Sequence, residues 1–517
     1  MRAPLIVLGL LFAVAPQSSA QTDYQHVQRL SAALNHIRSN HMDSVDYGDL
    51  VDAAIWGAVR SLDPHSYYLP RRTAALEGRL ASGELGEIGL DLEDVDGVPT
   101  VLSVVPDGPA DKKGIAPGDR LVAINDTTVA GVDLRDLEYA FIGAKGDRIT
   151  LSLERGNRLE PQPYRVRIKR DHVERPSIQQ FNLLDDSTGY VWLGEFGDDA
   201  AESMERALRE LTRRGARRVV LDLRGNPGGR VDMSIAIASL FFPKGTVVFR
   251  TEGRKEDVVE DFVTEKDGRF RELPLIGLID ERSASASEAL AGSLQDHDRA
   301  LLIGRRSFGK ALMQAPFRLP RGDMLWLTIG RVITPGGRFI QRRYRGLAGA
   351  QYRSFAGRTG AEADTSETFP TDAGRVMRGG GGIVPDLELG LVRSAPVWYA
   401  AAADSSYPQA IADSVGFALD ESEAAFAAWL NAPDRWRQEL LTPFLERVRT
   451  RLAVSVEPDS SEAAAITLML ARRAAEVRWG REAAARLRQR HDPAIIAALA
   501  AFARLDQLLA GSGTDGN

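Results

Sequence analysis

Between Thr188 and Gly304 the chain alternates short apolar runs with segments of helical spacing. "TGYVWLGEFG", "RRVVLDLRG", "PLIGLID" and "RALLIG" read as strands, whereas "DAAESMERALRELTRRGA", "MSIAIASLFF" and "SASEALAGSLQDH" repeat apolar residues at helical intervals. Strand–helix alternation of this kind folds as an α/β layer structure. Ligands of such sheets sit beyond the carboxyl ends of strands, in the loops that lead to helices. Two loops fall there: the glycine-rich "NPGGR" after "VVLDLRG", and "ERSAS" after "LIGLID". The alternation therefore draws two distant segments into the same kind of location.

The rest of the chain has other textures. At 517 residues it exceeds one core, and about three domains is the length expectation. Residues 1–20 carry Arg2, the apolar run "PLIVLGLLFAVA" and the small-residue end "SSA", the form of a secretory signal peptide cut after Ala20. The expected product starts at Gln21, has no membrane span after signal cleavage, and is soluble and periplasmic. Residues 21–82 have helical spacing, interrupted by the turn "DPHSYYLP", where His65 reads as a structural histidine. Residues 83–169 change to short alternating strands between Gly, Pro and Asp turns. Residues 396–510 are rich in Ala and Arg and helical throughout. "ESEAAFAAWLNAPDRWRQELLTPFLERVRTRLA" is broken at its prolines, "SEAAAITLMLARRAAEVRWGREAAARLRQ" forms one long amphipathic helix, and 511–517 is a disordered tail. The plain reading of this region is a helical appendage packed on the core. The alternative is a platform for self-assembly or an activating adaptor. A net charge of −6 gives no argument for nucleic acid, and the absence of cysteine excludes disulfides, thiol nucleophiles and thiolate metal sites.

The chemistry rests on "ERSASASEALAG". Serine commonly caps a helix, and Ser283 or Ser285 suits that role as well as it suits a nucleophile. A nucleophilic serine needs a base. The chain has seven histidines, and none stands in a recognisable Ser–His–Asp setting; His297 lies on the helix that follows the serines, about three turns away. Lysine is the alternative. Of 57 arginines and eight lysines, only lysine can lose its proton in a protein, and Lys310 sits in the loop "GRRSFGKALMQ". On its own this fact favours a surface lysine.

Taken together, "SASASEALAGSLQDHDRALLIGRRSFGKALMQ", "VVLDLRGNPGG", "TPGGRFIQ", "GGGIVPD" and "LDPHSYYL" closely resemble, in order, the carboxyl-terminal processing peptidases, also called tail-specific proteases. The resemblance spans roughly residues 25 to 395. "GPADKKGIAPGDRLVAIN" has the form of the corresponding segment of PDZ domains. The resemblance implies a Ser/Lys dyad with Ser285 as nucleophile and Lys310 as base. It implies that Gln314 holds the lysine, an i,i+4 pair on one helical face. It also implies an oxyanion hole from the N–H groups of Ala286 and Gly228, the latter preferred to Gly229. Asp280 stands where the family often has Asn, Ala311 where Gly is usual, and Glu87 where many PDZ loops have Gly.

The PDZ-like unit is expected to hold a free, apolar C-terminus, with Gly86, Ile88 and Gly89 at the carboxylate and Leu90, Leu92, Leu134 and Leu137 lining the side-chain pocket. The architecture expected is multidomain α/β: N-terminal helices, a β-rich PDZ-like domain at 83–169, an α/β protease core at 170–395 and C-terminal helices. The substrates implied are polypeptides, with no metal and no organic cofactor. The competing readings are a silent exported PDZ scaffold and a histidine-assisted hydrolase.

Overall fold

The computed structural model describes residues 19–95, 97–132, 134–155, 162–347, 352, 367–390, 407–452 and 457–509. Most of the expected signal segment and the tail at 511–517 therefore lie outside the described residues.

The chain opens with α1 (Ser19–Asn40), exposed from Asp23 on except at the half-buried Leu34, and α2 (Tyr47–Arg60). Asp46 caps α2 by accepting from the N–H groups of Gly48 and Asp49. The expected turn then holds a short strand, β1 (Tyr67–Leu69), with Tyr68 and Leu69 buried, before α3 (Arg71–Ala81).

The next unit is β-rich. Strands β2 (Leu90–Val95), β3 (Val98–Val104) and β4 (Arg120–Ile124) precede helix α4 (Leu134–Phe141), and β5 (Arg148–Arg155) and β6 (Gln162–Lys169) follow it. They form an antiparallel sheet in the order β2-β3-β4-β5-β6. Alternation builds it: Ile149, Leu151 and Leu153 of β5 point inward with Leu121 of β4 and Leu137 and Phe141 of α4.

The α/β core contains β7 (Ile178–Leu183), β8 (Thr188–Leu193), α5 (Ala200–Arg213), β9 (Arg218–Asp222), α6 (Val231–Ala238), β10 (Val247–Gly253), β11 (Glu260–Val263), β12 (Leu275–Ile279), α7 (Ala286–Asp296), β13 (Leu301–Gly304), β14 (Leu312–Arg318), β15 (Met324–Ile333) and β16 (Leu387–Glu388). The main sheet runs β7-β8-β9-β12-β13-β16, antiparallel at β7 and parallel elsewhere. Helices α5, α6 and α7 cover one face through Met204, Leu208, Ile237, Leu290 and Leu294. A second sheet, β1-β15-β10-β11 with β14 also on β15, ties the N-terminal strand into the core.

The C-terminal helices are α8 (Tyr407–Ala418), α9 (Glu423–Leu430), α10 (Thr442–Leu452), α11 (Ser460–Arg490) and α12 (Pro493–Ala501). Two expectations need correction. Pro443 does not break the chain, because a π-helical turn at Arg437–Leu441 leads directly into α10. The long amphipathic helix is interrupted at Gly480, whose φ of 84° and ψ of 179° leave helical geometry. Helix α12, capped by Asp492, lays Ala494, Ile495 and Ala498 against Val220, Ile276 and Leu278 on the other face of the main sheet. The region thus packs as an appendage that completes the core. Among the described residues no helix is long and apolar enough to cross a membrane.

Candidate active site

The three serines that looked interchangeable have different surroundings. Ser283 Oγ donates to the Leu223 carbonyl at 2.8 Å, and Ser287 Oγ donates to the Asn226 carbonyl at 3.0 Å. Both hydroxyls are buried and lace the serine loop to the "NPGG" turn. Ser285 Oγ donates to no described residue. Its backbone sits at φ 57° and ψ −114°, outside the comfortable regions for a residue with a Cβ. The cost of such a geometry is of order 1–3 kcal/mol, and it is held because every neighbour of Ser285 is fixed. Ala284 N–H donates to the Asn226 carbonyl at 3.0 Å, and the half-buried Asp280 carboxylate accepts from the N–H groups of Gly225 and Arg282, each at 3.0 Å. Burial pushes the Asp280 carboxyl up, against these hydrogen bonds.

Glu288, three residues after Ser285 and fully buried, joins the serine to the lysine. Its Oε2 accepts from Ser285 N–H at 2.9 Å and from Lys310 N–H at 2.8 Å; its Oε1 accepts from Gly309 N–H at 2.6 Å and from the Ser307 hydroxyl. Burial raises the Glu288 carboxyl above its usual range, and the four donors oppose that rise. One oxygen atom therefore gathers the backbones of both residues of the expected dyad.

Two expected details change. Gln314 lies on strand β14 rather than on a helix shared with Lys310; its Nε2 donates to the Leu312 carbonyl at 3.0 Å and to Thr328 Oγ1 at 3.2 Å. Gly228, at φ +103°, backs onto the serine so closely that a Cβ there would come within 2.9 Å of Ser285 Cβ. Its own N–H, however, donates to Asn226 Oδ1 at 2.9 Å. The neighbouring Gly229 N–H has no partner among the described residues. Ala286 N–H opens α7 and has no intrahelical acceptor. No histidine hydrogen-bonds to Ser285: His297 caps the far end of α7, with Asp372 Oδ2 at 2.8 Å and the Val247 carbonyl at 2.8 Å. Among the described residues there is no cluster of groups able to hold a metal.

Peptidase family S41 matches residues 187–348, and the PDZ domain family matches residues 86–161. The carboxy-terminal processing protease CtpA of Bacillus subtilis is 30% identical over 328 residues, covering 63% of this chain and 69% of that protein. The carboxy-terminal-processing protease of Bartonella bacilliformis is 32% identical over 328 residues, covering 63% of this chain and 74% of its own. The chain belongs to the carboxy-terminal processing proteases of peptidase family S41. Among solved structures, the photosystem II D1 C-terminal processing protease matches at 22% identity and a TM-score of 0.49, covering 71% of this chain and 92% of that one.

In this processing protease the expected peptide-binding residues fall into two groups. Gly86 pairs antiparallel with Gly143, and Gly89 takes φ +74°, as a tight loop before β2 requires. Ile88, Leu90, Leu92 and Leu137 are buried in the PDZ core, with Leu134 half-buried beside them. Strand β2 ends its sheet, so its outer edge is unpaired among the described strands. The opposite side chains of β2 face the protease: Asp91 Oδ1 meets Arg175 at 2.9 Å, and Glu93 meets Arg282 of the serine loop at 3.2 Å. Glu87 also takes Arg175, at 3.3 Å. Sequence reasoning passed over Glu288 and Asp63. The signal for Glu288 was present, since an acidic residue three places after a serine at a helix start is a capping-box spacing.

Proposed function

We propose that this processing protease is an exported serine endopeptidase of the periplasm that cuts polypeptides near free, apolar C-termini. Ser285 is the nucleophile, Lys310 its base and Gln314 the residue that orients the lysine. Neutral Lys310 takes the Ser285 proton as Oγ attacks the scissile carbonyl carbon. The resulting oxyanion lies between Ala286 N–H and a donor of the "NPGG" turn. Gly229 N–H takes that second place, because Gly228 N–H is already engaged by Asn226. Lysine then passes the proton to the leaving amine, and water hydrolyses the acyl-enzyme. The substrate tail adds as a strand to the free edge of β2, its carboxylate held by the loop Gly86–Gly89 and its last side chain set toward Leu90, Leu92, Leu134 and Leu137.

The observation that carries this reading is the Glu288 carboxylate, which brings the backbones of Ser285 and Lys310 onto one oxygen while leaving the Ser285 hydroxyl without an acceptor. Lys310→Arg tests it. Guanidinium keeps the charge but stays protonated, so a base is lost where an ion-pairing lysine would be preserved. Cleavage of a short apolar-tailed peptide should fall as far as in Ser285→Ala, with the fold intact. Activity within about tenfold of wild type, roughly 1.4 kcal/mol of barrier, removes Lys310 from the mechanism.

A further inference from the structure

The N-terminal motif "LDPHSYYL" lies far from the serine in sequence, yet its side chains end at the catalytic lysine's neighbours. Asp63 gathers the turn: Oδ1 accepts from the N–H groups of His65 and Ser66, both at 2.8 Å, and Oδ2 accepts from Ser66 Oγ at 2.6 Å. The same Oδ1 accepts from Thr328 Oγ1 of β15 at 3.0 Å, and Thr328 N–H donates to Ser66 Oγ at 2.9 Å. Thr328 Oγ1 in turn lies 3.2 Å from Gln314 Nε2.

The direction of this chain matters more than its existence. A carboxylate only accepts, so Thr328 must give its single hydroxyl proton to Asp63. Thr328 Oγ1 can then only accept from Gln314, so together with the Leu312 carbonyl it fixes the carboxamide with its NH2 toward Thr328. The second NH2 proton goes to the Leu312 carbonyl at 3.0 Å. Both donors of Gln314 are thereby used, and Oε1 has no partner among the described residues. A carboxamide turned the other way would offer the lysine amine two donors and no acceptor.

We infer that Asp63 is a positioning residue for the lysine base: by setting the direction of the hydrogen bonds Gln314–Thr328–Asp63, it presents Gln314 Oε1 as the acceptor for Lys310. A second connection joins the same turn to the same loop. His65 Nε2 lies 2.8 Å from Tyr352 Oη, Gln341 Nε2 donates to Tyr352 Oη at 3.0 Å, and Gln341 Oε1 accepts from the N–H of Ala311, the residue after Lys310, at 2.8 Å. The N-terminal turn thus grips the lysine segment at both Gln314 and Ala311. This inference rests on the Ser285/Lys310 reading above.

The test uses the full-length protein and a short peptide with a free apolar tail. Asp63→Ala removes the acceptor of the Thr328 hydroxyl, which frees that proton to turn toward Gln314 and lets the chain reverse; Asp63→Asn would not, because its Oδ1 stays where His65 and Ser66 N–H donate. A drop in kcat of about 10- to 100-fold in the folded protein, the scale of losing a partner that orients a reacting group, is expected with KM nearly unchanged. Thr328→Val breaks the middle of the same chain and should match it, Thr328→Ser should regain most of that loss, and Asp63→Ala/Thr328→Val should be no worse than either single variant. If Asp63→Ala does not fold, the Thr328→Val and Thr328→Ser pair decides alone. Wild-type kcat in Thr328→Val, or losses that add and follow the melting temperature, overturn the inference. Ser285→Ala and Lys310→Arg run alongside: if they retain activity the dyad reading fails, whereas their inactivity beside a fully active Asp63→Ala sinks only the positioning role.

Discussion

The serine and lysine loops and the C-terminal helices both carry buried residues, but they are held by opposite means. Around Ser285 the contacts are polar and directional: Ser283, Ser287, Asp280 and Glu288 each satisfy named backbone groups at hydrogen-bond distance. In the C-terminal region Trp429, Phe444, Leu470 and Ala474 pack with one another, and Ile495 and Ala498 pack on the main sheet. A directional contact depends on the identity of one atom, whereas an apolar one depends mainly on volume. Isosteric changes should therefore be severe in the first region and mild in the second.

Glu288→Gln is the strongest way to break that contrast. Its shape is kept, but the carboxamide has one acceptor oxygen where four donors converge. Whichever way it turns, an NH2 group faces backbone N–H donors. Each buried donor left unsatisfied costs about 1–3 kcal/mol, so stability should fall by several kcal/mol in chemical denaturation. Cleavage should fall about 100-fold or more in the folded fraction, because the anchors of Ser285 and Lys310 separate. Near-wild-type rates would mean that the shared oxygen is incidental to catalysis.

In the apolar region Ile495→Val should cost only about 0.5–1.5 kcal/mol, and Ile495→Ala about 2–5 kcal/mol, with kcat of the folded protein unchanged. Removing residues 492–509 uncovers Val220, Ile276 and Leu278 and breaks the pair between Arg224 and Asp492, at 2.9 Å. Insoluble or poorly folding protein is the expected result, read from soluble yield. A stable, soluble truncation would show that the sheet face does not need this cover.

The same contrast explains what the sequence made legible. The strands of the main sheet and α5 were readable because a continuous apolar run and a 3.6-residue stripe are local signals. Ser285, Lys310 and the "NPGG" turn stood out through the resemblance that their motifs carry, since directional chemistry constrains residue identity. The place of Gln314 on a strand was not, since a spacing of four suits a helix face and a strand face alike. The part expected of Gly228 N–H depends on where the Asn226 side chain turns, a local choice that no spacing records. The docking of α12 was also hidden: an alanine-rich helix fits many apolar surfaces, and nothing in "PAIIAALAA" says which one. The roles of Asp63 and His65 depend on β15 and Tyr352, hundreds of residues away, and are visible only once the sheet is formed.

A gentler probe is pH. Burial works to raise the Asp63 carboxyl, yet hydrogen bonds from Ser66 Oγ and from the N–H groups of His65 and Ser66 outweigh it and hold the group below its usual range. A carboxyl with a lowered folded-state pKa adds stability that is present above its unfolded value, about 4, and is lost as pH falls through the folded one. The stability gap between wild type and Asp63→Asn should therefore be full near neutrality and close on acidification below about pH 4. A gap that stays constant with pH would show that the difference comes from packing rather than from the carboxylate.

The smallest expected effect sharpens the boundary between the two kinds of contact. Glu93 of β2 and Arg282 of the serine loop meet at 3.2 Å, and both are partly exposed. A pair of this kind contributes about 0–1 kcal/mol and weakens with salt. It nevertheless links the strand proposed to receive the substrate tail to the loop that carries Ser285. Glu93→Gln should leave the melting temperature within a degree or two and change cleavage of the tailed peptide by no more than about threefold. The informative quantity is the preference for a free over an amidated C-terminus. If the pair transmits tail binding to the loop, Glu93→Gln should lower that preference at low salt and leave it unchanged at high salt, where wild type has already lost the contribution. A preference equal to wild type at every ionic strength would make the contact a surface pair only, and would place communication between the PDZ unit and the active site in Arg175 and its partners Glu87 and Asp91.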